Sequence, residues 1–250
     1  MALIATLTSP ELATILGEGR PVVALVPVGS VEPHGPHLAL GTDTTISEAA
    51  IAAAVEPLDL DGITALIAPA VPYGVTDCAE GFVGAVTIPA EALSNYLRAV
   101  VLGFLQNGFA HVCLVNNHLE PAHDRAVRQA LDGIEAHAAS VACPLRRRWA
   151  RTLSDEFKSG ACHAGQYETA IVMAADASGV REGIRQTLAE NPVSLSDALQ
   201  KGITTFREMG LPDAYAGAPQ QATIAEGQDL IGRLAEMVRV TVREALTQET

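Results

Sequence analysis

The run Val22-Val-Ala-Leu-Val-Pro-Val28 contains no polar side chain and stops at Gly29. A strand with one solvated face would alternate apolar and polar residues. An unbroken apolar run this short instead fits a strand buried on both faces, as in a parallel sheet between helices. Ile63–Ala68 and His111–Val115 are two further short apolar runs, and Val141–Leu145 is a fourth candidate strand. Ile46–Val55, Pro89–Leu105 and Ala122–His137 carry helical patterns between and after them. A short helix is predicted from an N-cap at Ser9 to Leu16, and a long amphipathic helix over Ile224–Leu246. The expected class is α/β with a mostly parallel central sheet. No linker, charge run or repeat divides residues 1–250, so one domain is expected.

Composition narrows the partners. The formal net charge is −13, from 16 Lys and Arg against 29 Asp and Glu. Phosphate backbones need a basic face, so no nucleic-acid partner is expected. The one basic cluster, Arg146-Arg147-Arg148, reads as a solvated strand end, with an anionic subsite as the minor reading. No uncharged apolar run approaches a membrane span, so no membrane partner is expected. Cys78, Cys113, Cys143 and Cys162 show no CxxC pairing, which suits a reducing, cytoplasmic compartment.

Three polar clusters border apolar segments, two after strands and the third ahead of a helix. After Val28 come Glu32, His34, His37 and Asp43, spaced by Pro33, Gly35, Pro36 and Gly41, which stiffen the loop. Glu32 and His34, two apart in extended backbone, leave on one side. Asp43 is either a metal ligand or only the N-cap of the helix that follows. After Val115 come Asn116, Asn117, His118, Leu119 and Glu120, with Pro121 opening a helix. A parallel sheet would bring both strand ends to one edge. The third cluster holds His163 and Glu168 ahead of the helical stretch Ala170–Ala175. His123 is expected at the surface or as a cap, with a ligand role as the minor reading, and His111 and His137 as structural. Residues 183–221 read as largely irregular, either a lid or a subunit contact. Trp149 is a core or interface residue, or the wall of a planar substrate's site.

Imidazoles and carboxylates without thiolates suit Zn²⁺, Mn²⁺ or Fe²⁺. The candidates are too many for one four-coordinate structural zinc. Glu32, Asp43 and Glu120 would offset most of the charge of two dications. That favours a two-metal hydrolytic site, where such ions acidify a water and polarise a carbonyl. His163 would then be free for proton transfer.

Pro27-Val-Gly-Ser-Val-Glu-Pro-His-Gly-Pro-His-Leu38, with Asp43 downstream, resembles the signature of the creatininase (creatinine amidohydrolase) family. Asn116-Asn-His-Leu-Glu120 resembles that family's Asn-Gly-His-aromatic-Glu segment, and His163-Ala-Gly-Gln-Tyr-Glu-Thr169 its His-x-Gly-x-x-Glu-Thr pattern. The resemblance runs from about Val22 to Leu246. It implies a three-layer α/β/α domain, assembled as a homo-hexamer, with two divalent ions. By position, Glu32 and His118 would hold one ion, His34 and Glu120 the other, and Asp43 would bridge. His163 would be the acid/base residue that protonates the leaving nitrogen. Glu168 would support it or serve as a ligand. Leu119 replaces an aromatic residue of creatininase and Cys162 an acid; Leu119, Cys78 of the Gly74–Gly84 loop and Trp149 are the substrate-facing candidates. The implied activity is metal-dependent hydrolysis of the C–N bond in a small amide, cyclic or formylated. The other reading is a catalytically silent metal or small-molecule binding protein of the same fold.

Overall fold

A computed structural model describes residues 2–247; the ends of the expected 1–250 domain lie outside them. Five parallel strands form one sheet: β1 (Ala2–Leu3), β2 (Val22–Val28), β3 (Thr64–Ile67), β4 (His111–Asn116) and β5 (Ala139–Ala142), in the order β1-β3-β2-β4-β5. The strand at Ala2–Leu3 is too short to leave a sequence signal. β5 begins and ends earlier than expected; it stops short of Pro144, which has no N–H to donate to a ladder.

Successive side chains of β2 leave on opposite faces and feed two cores. On one face Val23 and Leu25, with Cys113 and Val115 of β4, pack beneath α2 (Thr42–Leu60), α7 (Gln166–Ala175) and α10 (Ile224–Leu246). On the other, Val22, Ala24, Val26 and Val28 meet α1 (Ser9–Leu16), α3 (Ala90–Gln106) and α4 (Pro121–Gln129). The fold is thus the three-layer α/β/α arrangement, with β2 buried along its whole length.

Local chemistry sets most helix ends, with three differences from expectation. The α1 N-cap is Thr8 rather than Ser9, and its backbone N–H donates to Glu11 Oε2 at 2.7 Å. Asp43 is no cap: α2 starts from Gly41, and Asp43 lies within its first turn. α4 stops at Gln129 instead of reaching His137, and the turns that follow include Gly133 at φ +75°.

Four short helices complete the chain: α5 (Arg147–Ala150), α6 (Asp155–Ser159), α8 (Glu182–Arg185) and α9 (Leu195–Gln200). The segment read as irregular has its own small core, where Phe206, Met209 and Leu211 gather with Cys78 and Ala79 of the long loop after β3.

Candidate metal centre

Val28 and Asn116 are register partners at the ends of β2 and β4, so the first two polar clusters start side by side at one sheet edge. Close packing then draws Asp43 inward. A Cβ added to Gly29 would sit 2.6 Å from the Thr44 backbone nitrogen, so only glycine lets the strand end press on the start of α2. Ser30 Oγ donates to Asp43 Oδ2 at 2.7 Å. The third cluster arrives by a left-handed turn at Ala164 (φ +52°), whose N–H donates to Glu168 Oε2 at 2.7 Å. A non-glycine residue held at positive φ stores strain that its surroundings must offset, as is common beside functional groups.

Three residue groups present donor atoms close enough to share an ion: Glu32–Asp43–His118, His34–Asp43–Glu168 and Glu32–His34–His163. His118 Nδ1 lies 3.3 Å from Glu32 Oε1 and 3.1 Å from Asp43 Oδ2. His34 Nε2 lies 3.2 Å from Asp43 Oδ1 and 3.6 Å from Glu168 Oε2. Asp43 therefore offers one oxygen to the group with His118 and the other to the group with Glu168.

The tautomers follow from the far side of each ring. His118 Nε2–H donates to the Val75 carbonyl at 2.7 Å and His34 Nδ1–H to the Glu32 carbonyl at 3.1 Å. A carbonyl can only accept, so the inward nitrogens carry lone pairs when the rings are neutral. Lone pairs facing carboxylates repel unless a proton or a cation stands between them. Backbone-oriented histidines of this kind are the usual support of metal ligands, and the donor set fits divalent zinc, manganese or iron.

The electrostatics agree. Burial opposes the charged form of His34, yet Asp43, Glu168 and Glu32 outweigh it and lift the ring to about 10. Burial also opposes charging of His118, and Glu32 and Asp43 reverse it, raising His118 well above its ordinary value. Burial pushes Glu32 up, but His118 brings it down to about 2. Glu168 rises to about 8 because burial and the Asp43 charge exceed the help of His34. His163 falls to about 4, through burial and the nearby His34. Of the three imidazoles in the cluster it is the one held neutral, with Nε2–H donating to the Pro33 carbonyl at 3.0 Å and Nδ1 left free as an acceptor.

Other residues fall differently from the expectation. Glu120, expected as a ligand beside His34, lines the same cavity but is in none of the three groups. Its carboxylate accepts the N–H groups of Asp77 and Cys78 at 3.2 and 3.1 Å, and Glu168 stands at the second group instead. His123 is fully buried, not at the surface: Nε2–H donates to Asn116 Oδ1, and Nδ1 accepts from the Val75 N–H. Trp149 is not among the residues lining the cavity. It packs against the sheet core, with the Arg148 guanidinium 4.4 Å over its ring.

A cavity of about 560 Å³ opens from the cluster, and Leu119, Cys78 and Cys162 are among the residues that line it. Burial and the Glu120 charge push the Cys78 thiol well above its ordinary value. Phe206, which the sequence left unassigned, roofs the site and stacks on His163 with centroids 4.4 Å apart. Thr76 donates to Glu32, and His37 Nε2 pairs with Thr169 Oγ1 at 2.9 Å. For Phe206 the only signal was the apolar spacing of Leu195, Leu199, Ile203 and Phe206 inside a stretch rich in Gly and Pro.

Comparison with known proteins identifies the relatives of this chain. A family model described as creatinine amidohydrolase matches residues 5–242. A "Mycofactocin precursor peptide peptidase" of Mycolicibacterium smegmatis is 32% identical, covering 94% of this chain and 87% of that protein. A crystal structure of creatinine amidohydrolase (creatininase) superposes with a TM-score of 0.77 at 16% identity, covering 97% of each chain. A structure named "Creatininase Mn" gives 0.74 at 16% identity, covering 97% of this chain and 98% of that one. No described helix is long and apolar enough to cross a membrane. Sequence match, shared fold and clustered donors lead to one conclusion: this chain belongs to the creatininase family of hydrolases.

Proposed function

We propose that this protein is a metal-dependent amidohydrolase that cleaves the C–N bond of a small amide, using two divalent ions, Zn²⁺, Mn²⁺ or Fe²⁺. Glu32, Asp43 and His118 would hold one ion, and His34, Asp43 and Glu168 the other. The observation carrying this reading is Asp43, one oxygen toward His34 and the other toward His118, with both rings oriented by backbone carbonyls.

Ions bound there would supply Lewis acidity, polarising the scissile carbonyl and acidifying a water. The remaining work falls to the protein. His163 Nδ1, neutral and free to accept, takes the proton of the attacking water and returns it to the leaving nitrogen. The Pro33 carbonyl holds the tautomer this needs, and Phe206, stacked on the ring, and His34, tilted against it with centroids 4.6 Å apart, restrict its plane. The cavity's size suits a compact ligand that is largely enclosed. Cyclic amides and formamides fit that description, and the peptidase name of the mycobacterial relative adds short peptides to the range. The homo-hexamer implied by resemblance belongs to the same reading.

The test is elemental analysis of protein purified without added metal, followed by an amide panel assayed before and after chelation. About two equivalents per chain and turnover restored by metal are expected. Full turnover after complete metal removal would overturn the proposal.

A further inference from the structure

The acids lining the cavity are Glu32, Asp43, Glu120 and Glu168, all at the buried centre or beside it. Away from that floor its charged lining is entirely basic: Arg147, Arg151 and Lys158. That is unusual in a chain with 29 acids against 16 Lys and Arg. Arg147 opens α5 and Arg151 is its C-cap in helical conformation, so the two lie one turn apart on one face. Between them, Ala150 lines the same wall while Arg148 and Trp149 do not.

The basic residues differ in how they are occupied. Lys158 pairs with the fully exposed Asp155 at 2.6 Å, and Arg148 is held by both carboxylate oxygens of Glu244 at 3.0 and 2.8 Å. Among the described residues, neither Arg147 nor Arg151 has a side-chain hydrogen bond or ion pair. These two exposed guanidinium groups share a cavity whose intervening walls are apolar, including Leu119, Leu145, Leu199 and Phe206. Guanidinium forks match planar carboxylates, and a cleft of one sign concentrates ligands of the other.

We infer that Arg147 and Arg151 form a carboxylate-binding subsite, so that the preferred substrate is an amide with an apolar body and a carboxylate at the end away from the scissile bond. N-acyl amino acids and the C-terminal ends of short peptides are such compounds. The inference rests on the amidohydrolase reading for which bond is cut, but the subsite itself is a statement about binding.

The test is equilibrium dialysis of the full-length protein against N-benzoyl-glycine, N-benzoyl-leucine and N-benzoyl-phenylalanine, each beside its neutral carboxamide. At least one acid is expected to bind about tenfold more tightly than its carboxamide. Arg147→Ala with Arg151→Ala should reduce that preference to within about twofold while leaving carboxamide binding unchanged. Arg148→Ala, outside the cavity, should leave the preference intact. Equal affinity for every acid and amide, a preference that survives the double substitution, or no binding by any of the compounds would overturn the inference. Chromatography of the same samples reports hydrolysis, which bears on the amidohydrolase reading alone.

Discussion

His118 Nδ1 lies 3.1 Å from Asp43 Oδ2, with the proton-bearing nitrogen of the ring turned away to the Val75 carbonyl. The short approach is favourable only with a proton or a cation between the two atoms. Metal uptake is therefore expected to displace protons.

At pH 7.5 the metal-free protein holds protons on His34 and His118, and Glu168 is largely protonated. Binding should release about two to three protons per chain, read by calorimetry in buffers of different ionisation enthalpy. The sign of the stability effect follows. His34 is raised from 6.5 to about 10, so its contribution is complete below pH 6.5 and is lost as pH rises through about 10. Chelated protein should melt progressively lower over that window, and metal-loaded protein should not. Binding without proton release would refute the arrangement.

Glu168 and Glu120 should separate cleanly by metal content. Glu168→Gln removes a donor from the His34–Asp43 group and is expected to cost about half the bound metal. Glu120→Gln should keep the metal and instead loosen the turn whose Asp77 and Cys78 N–H groups it accepts. Elemental analysis of the two variants decides, and the reverse pattern would restore Glu120 as the ligand.

Glu156 supports the centre without touching it. Its oxygens accept the N–H groups of Gln166, Tyr167 and Ala218 at 3.0, 2.7 and 2.7 Å, pinning the start of α7 just before Glu168. Glu156→Ala leaves several N–H groups without partners and should destabilise by about 3 kcal/mol or more. Urea denaturation measures this, and a change under about 0.5 kcal/mol, the size of a neutral surface substitution, would contradict it.

Gly227 marks where α10 crosses α7. A Cβ there would lie 1.8 Å from the Ala170 carbonyl oxygen and 2.9 Å from the Ala174 side chain. Alanine is the better helix former by about 1 kcal/mol. The clash is with backbone and cannot relax by a rotamer change, so Gly227→Ala should be net destabilising by about 1–3 kcal/mol. A raised melting temperature would show that the crossing is looser than it is here.

Much of this protein was legible locally. The apolar run marked Val22–Val28 as a doubly buried strand, and periodicity set α10 at Ile224–Leu246 to the residue. Pro, Gly and paired polar residues after two strands, and a polar cluster ahead of a helix, named Glu32, His34, Asp43, His118, His163 and Glu168 as candidates, the six residues that make up the three donor groups. These signals are local because backbone geometry and side-chain alternation depend on near neighbours. What required the tertiary structure was every choice between distant competitors. Glu120 is drawn off by the N–H groups of residues 77 and 78, more than forty positions earlier. Phe206 reaches His163 because a Gly- and Pro-rich segment builds its own small core over the site. His123 is buried because Asn116 and the Val75 backbone satisfy it. A residue type states which contacts a side chain can make. Which of them it does make depends on what the rest of the chain brings within about 3 Å, the reach of a hydrogen bond.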